Sequence, residues 1–198
     1  TDPHADREGL LREADQLSIS AVALDGNNAG VWVTRGWVLA WQQRWEESLT
    51  AFRKSLRIAP NDGGTISNMA VVLLWSGRAE ESLPWIDKAL ADESFGAPAT
   101  LLMRKCGAYL YLGRYEDAVA ACEKSAGLYS NTITYVYLTA AYAQRGDDAK
   151  AVATKKELLK LWPDFTSARF RSSSASDNPV YWQQAEAHVY RGLRKAGV

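Results

Sequence analysis

A unit of 34 residues constrains this chain more than any other feature: residues 29–62, AGVWVTRGWVLAWQQRWEESLTAFRKSLRIAPND, whose pattern returns along the sequence. Apolar residues recur at helical spacing on both sides of Gln43-Arg44, and Ala59-Pro60-Asn61-Asp62 closes the unit, so it reads as a helical hairpin. Such a hairpin cannot bury its apolar face alone, and stacking on its neighbours supplies the core. The period therefore predicts an all-α superhelix, a solenoid of antiparallel helix pairs.

Residues 1–165 divide into a partial unit at 6–28 and full units at about 29–62, 63–96, 99–132 and 132–165. In the partial unit Leu10, Leu11, Ala14, Leu17, Ser18 and Ala21 share one side, and Asp25-Gly26-Asn27-Asn28 ends the helix. It matches the second half of a hairpin, so the chain is expected to be a segment of a longer protein. Its missing first helix leaves Leu10, Leu11 and Leu17 as a candidate self-association face. In the full units small residues such as Gly36 and Ser48 let helices approach, while Trp32, Trp45 and Phe52 fill the space beside them. Gly77, Gly113 and Gly146 mark later turns, and Pro84 falls early in its helix. Residues 166–198 form a carboxyl-terminal extension: a short helix over 165–171, a flexible serine loop over 172–179, and a capping helix over 180–196. Tyr181, Ala185, His188, Val189, Gly192 and Leu193 lie near one side of that helix.

Trp32, Gly36, Ser48, Phe52, Ser55 and Pro60, with Tyr109, Gly113, Tyr115 and Ala118 in the third unit, have the spacing that resembles tetratricopeptide repeats. Departures are visible: Ala70 and Cys106 replace the first-helix glycine, Ser94 and Ser130 the closing proline, and Lys155 the second-helix aromatic. A narrower resemblance covers the end of the chain. Trp162-Pro163-Asp164-Phe165-Thr166, Phe170-Arg171, Asp177-Asn178-Pro179 and Gly192-Leu193-Arg194-Lys195-Ala196-Gly197 look like the tail of bacterial multidomain signalling proteins. There a class III adenylate or guanylate cyclase domain, sometimes with a TolB-like segment, precedes the repeats. That resemblance implies a regulatory or assembly region, with the cyclase chemistry outside this chain.

Lys and Arg total 23 and Asp and Glu total 23, without a basic stripe, so neither nucleic acid nor a membrane surface is the expected partner. No phosphate-cradling glycine loop or acid, base or metal constellation occurs, so no enzyme activity and no cofactor are expected. His4 and His188 are too isolated to form a metal site. Glu46-Glu47, Glu80-Glu81 and Glu116-Asp117 suit helix starts through the helix dipole. Cys106 and Cys122, without CxxC spacing, are expected to be buried free thiols, and the cytoplasm is the default compartment.

The expected function is protein binding. Carboxylate-clamp members of the family hold a peptide's terminal carboxylate with lysines, asparagines and an arginine. Here Asn68 and Arg104 fall at two clamp positions, but Val33, Trp37 and Thr100 occupy the others, so no clamp is expected. The same helix faces carry Val33, Trp37, Trp41, Val71, Leu74, Trp75, Met103, Leu110 and Tyr111, a concave apolar row. Three outcomes are open: the groove takes a helix or strand of another protein or peptide, it is filled by the chain's own tail, or deeper curvature of the stack closes it. A second copy of the chain is the alternative partner.

Overall fold

The computed structural model describes residues 3–92 and 95–198. Ser94 and the side chain of His4 lie outside the described residues. Helix α1 (Pro3–Leu24) precedes four hairpins: α2–α3 (Ala29–Trp41, Trp45–Ile58), α4–α5 (Gly63–Trp75, Ala79–Leu90), α6–α7 (Pro98–Tyr111, Tyr115–Leu128) and α8–α9 (Thr132–Arg145, Asp148–Leu161). Each hairpin packs on the next, α1 on α2, α3 on α4, α5 on α6 and α7 on α8. The chain is an all-helical solenoid of paired helices.

Local chemistry sets the helix ends. Asn28, Asp62 and Asn131 accept backbone N–H bonds at the starts of α2, α4 and α8. Within every hairpin the turn closes with one bond: Arg44 N to Leu39 O, Arg78 N to Leu73 O, Arg114 N to Tyr109 O, Asp147 N to Tyr142 O, all 2.8–2.9 Å. That geometry needs a left-handed residue. Gly77, Gly113 and Gly146 supply it, whereas Gln43 holds φ 62° in the first hairpin. A side chain there costs about 1–2 kcal/mol. The acids at the starts of α3, α5 and α7 sit in the first helical turn as expected. Glu47, Glu81 and Asp117 also pair with the preceding Arg44, Arg78 and Arg114.

The two helices of a hairpin meet at a fixed pair of positions. In the first, a Cβ on Gly36 would stand 2.6 Å from the Phe52 ring, so only glycine admits the phenyl group. Ser48 donates to Gly36 O at 2.7 Å beside it. Phe52 is fully buried, and truncation to Ala would cost about 3–5 kcal/mol. In the third hairpin the equivalent residues are Cys106 and Cys122. They are buried, as expected, but they are not free thiols: the two sulfurs are bonded, with Cα atoms 5.2 Å apart. The correction has a simple cause, since the hairpin brings these positions together, as it does Gly36 and Phe52 in the first.

The tail begins with α10 (Ser167–Ser172) and ends in a continuous rod. The rod comprises α11 (Pro179–Gln184), a π-helical turn (Ala185–Tyr190) and α12 (Arg191–Lys195). Tyr181, Ala185, Val189, Gly192 and Leu193 are buried, and the rod caps the stack by packing on α8. At Gly192 a Cβ would meet the Ala140 carbonyl oxygen at 2.5 Å, so backbone lies directly on backbone.

A disulfide closing a loop of sequence separation 16 contributes about 3 kcal/mol. Urea unfolding with and without dithiothreitol should show a loss of that order, and unreduced denatured protein should titrate no thiol. An unchanged midpoint and two reactive thiols would count against the bond.

Candidate functional site

The inner groove is formed by α2, α4, α6 and α8. At its amino-terminal end Trp37 lies 6.0 Å from Trp75, and Trp41 5.7 Å from Trp75, centroid to centroid. Asn68, with its amide nitrogen toward Gly64 O, accepts from Trp37 Nε1 at 3.2 Å. Asn68 therefore orients an indole. Val33 and Trp37 are half-buried, while Trp41 is 45% exposed. Val71, Leu74 and Tyr111 are buried, and Met103 and Arg104 are half-buried. Leu110 differs from its expected place: it is wholly inside the hairpin core and presents nothing to the groove.

The tail enters this groove. Ser176 donates to Trp75 O at 2.5 Å, and Asp177 accepts from Trp45 Nε1 at 3.1 Å. Tyr111 donates to the Tyr181 hydroxyl at 3.0 Å, with the rings 5.2 Å apart. The Tyr115 hydroxyl meets His188 Nδ1 at 2.8 Å. Gln144 Nε2 donates to the carbonyls of Ala187 and His188, both at 2.9 Å, and Lys155 Nζ to Gly197 O at 2.6 Å. The tail thus runs from the first two hairpins back to the fourth. The serine loop is seated on the array at its far end, while Ser172 and Ser173 are exposed. Ser176 is buried, and Ser174 donates to Tyr181 Oη at 3.2 Å.

Burial raises the hydroxyl pKa values of Tyr111, Tyr137 and Tyr190 well above the ordinary phenol range. They stay neutral and serve as packing and hydrogen-bonding groups. Burial and the nearby Arg191 lower the pKa of His188. Three residues at the joint between array and tail, Tyr137 on the array and Phe170 and Tyr190 on the tail, were not read as contacts from the sequence. Tyr137 stands 33 residues after Arg104, so carrying the repeat register into the fourth unit would have found it. Among the described residues no group of three or more His, Cys, Asp or Glu side chains could hold a metal ion. No described helix is long and apolar enough to cross a membrane.

Residues 29–62 match the tetratricopeptide repeat family. No curated protein sequence matches the chain. Among solved structures, PilW, a widely conserved type IV pilus biogenesis factor, superposes with TM-score 0.76 at 19% identity, covering 98% of this chain and 84% of PilW. MamA from Desulfovibrio magneticus RS-1 gives TM-score 0.70 at 20% identity, with 83% and 92% covered. YrrB, a tetratricopeptide protein with an unusual peptide-binding site, gives 0.62 at 15%, with 90% of both chains covered. The fold is a tetratricopeptide-type solenoid.

Two measurements probe the docked tail. Gly192→Ala should force the rod off Ala140, lowering the melting temperature and exposing residues 167–198 to trypsin, while array helicity persists. A tail as protected as in the parent would contradict this packing. The lowered His188 value fixes the sign of a pH effect. Its contribution is complete above the ordinary 6.5 and is lost as pH falls from there through the folded value, because the unfolded chain takes the proton first. Urea midpoints should fall between pH 7.5 and 5.5, and less steeply for His188→Gln.

Proposed function

We propose that the chain is a non-enzymatic protein-binding scaffold whose open recognition surface is the amino-terminal end of the inner groove. One observation carries this reading: the tail covers the groove beyond Trp75, while Trp41 keeps 45% of its surface exposed beside Trp37 and Val33. A rigid aromatic anchor at the mouth of a preformed groove suits the apolar side of a helix or an extended peptide. The peptide-binding site named for YrrB supports the use of this fold for such a partner. Residues 1–165 then form the binding array, and 166–198 an internal ligand and cap. The finer reading, a regulatory region of a cyclase-like or TolB-like signalling protein, rests on the tail motifs between Trp162 and Gly197.

A second copy is the alternative partner. Leu10, Leu17 and Leu24 recur every seventh residue on α1 and are 60%, 63% and 88% exposed, an apolar stripe on that helix. Leu11 is half-buried, toward the array rather than on that stripe. Compartment separates the readings further. The cytoplasmic expectation rested on reduced thiols, and the bonded Cys106–Cys122 pair favours an oxidising compartment. A region attached to a cytoplasmic cyclase would instead keep that pair reduced. Alkylation and mass measurement of the protein from its own cells distinguish these.

Peptides selected from a displayed library should lose at least about ten-fold in affinity for Trp41→Ala, with the melting temperature unchanged. Selected peptides that bind this variant equally would move recognition elsewhere. Light scattering over a concentration series should give a monomer. A dimer abolished by Leu10→Glu with Leu17→Glu would put self-association first.

A further inference from the structure

Between the groove and the tail lies a cavity of about 300 Å³. Its walls are mostly apolar and aromatic, with Trp75, Met103, Tyr137, Phe170 and Tyr181 contributed by α4, α6, α8, α10 and α11, and with the tail serines Ser173 and Ser174 at one side. Among the described residues Arg104 is the one charged side chain lining it. Nη1 of Arg104 donates to the hydroxyl and carbonyl of Ser67, and among the described residues nothing accepts from the rest of its five-donor fork.

The other guanidinium groups withdrawn from water behave differently. Arg35 pairs with Asp15, Arg78 with Glu46 and Glu81, and Arg145 with Asp147. No carboxylate of the described residues pairs with Arg104, whose pKa burial alone pulls down. A half-buried cation without a counter-charge is costly unless an anion joins it. A cavity of this size, with mainly aromatic and apolar walls, a few polar groups and one cation, has the character of a small-molecule site.

We propose that this cavity binds a compact organic monocarboxylate, its carboxylate held by the free edge of the Arg104 guanidinium and its apolar body seated against Trp75, Tyr137 and Phe170. A single guanidinium balances a single negative charge and matches a carboxylate in a bidentate fork. A phosphate ester would bring more charge and more acceptors than this wall answers. The site differs from a peptide clamp, because Ser173, Ser174 and Ala175 of the tail form part of its wall. Its ligand joins the array to the tail, which goes beyond the protein-binding reading and does not depend on it. Filling the cavity therefore stabilises the docked tail by mass action.

Calorimetric titration of the whole chain with 3-phenylpropanoate, and with the neutral 3-phenylpropan-1-ol of the same skeleton, tests the assignment without any substitution. The acid should bind at least about ten-fold more tightly than the alcohol and raise the melting temperature. Arg104→Gln should bring the acid down to the affinity of the alcohol. Ser67→Ala, which removes a tie of the guanidinium but keeps the charge, should retain the preference. A free-carboxylate tripeptide, acetyl-Gly-Gly-Phe, distinguishes the source of the carboxylate. Tight binding of the tripeptide with none of the small acid would overturn the closed site. Equal affinities of acid and alcohol for the parent, or no binding of either, would overturn the proposal outright.

Discussion

The hairpins close on one contact, between two positions sixteen residues apart on their two helices. The contact sets how near two backbones come, and hence where the next hairpin can stack. In the first unit it is Gly36 under the Phe52 ring, and in the second Ala70 with Ile86, both fully buried. In the third it is covalent, Cys106 to Cys122. In the fourth it fails as a packing contact: Thr139 donates to Thr154 Oγ1, and Lys155 turns to the carbonyls of Ala196 and Gly197. Where the repeat loses its interior contact, the chain supplies a cap.

That succession explains how the solenoid ends and why its groove is partly filled. A repeat array needs a terminal element that asks for no further neighbour. Here the terminal element also returns along the inner face. Tyr181 reaches Tyr111, Ser176 reaches the Trp75 carbonyl, and Gly192 sits against Ala140. The concave face consequently has two parts: an internal joint from Trp75 onward, and an exposed mouth at Trp41. The two parts meet at Trp75, whose carbonyl accepts from Ser176 of the tail and whose ring lies 5.7 Å from that of Trp41.

The hairpins were legible because their signals are local: helical spacing, Gly77, Gly113 and Gly146 at turns, acids in first helical turns. The rod over 179–195 was legible for the same reason, and its buried side was read correctly apart from the π-helical turn. The path of the serine loop was not, because a run of serines reads as solvated unless one knows which carbonyl waits opposite. Ser176 finds Trp75 O more than a hundred residues away in sequence. Leu110 was misplaced because two apolar helical faces adjoin, and spacing alone does not separate groove from hairpin interior. The bonded cysteines were readable in principle, since their separation equals that of Gly36 and Phe52. Composition and the absence of CxxC spacing argued the other way.

The tail lying in the groove joins the last hairpin to the first two, and amide hydrogen exchange over residues 179–195 measures that docking directly. The docked arrangement predicts slow exchange there, comparable with α8, with which this rod shares backbone contact at Gly192 and Ala140. Exchange at the rate of an unstructured peptide, alongside a protected α8, would contradict it and leave the groove open along its full length.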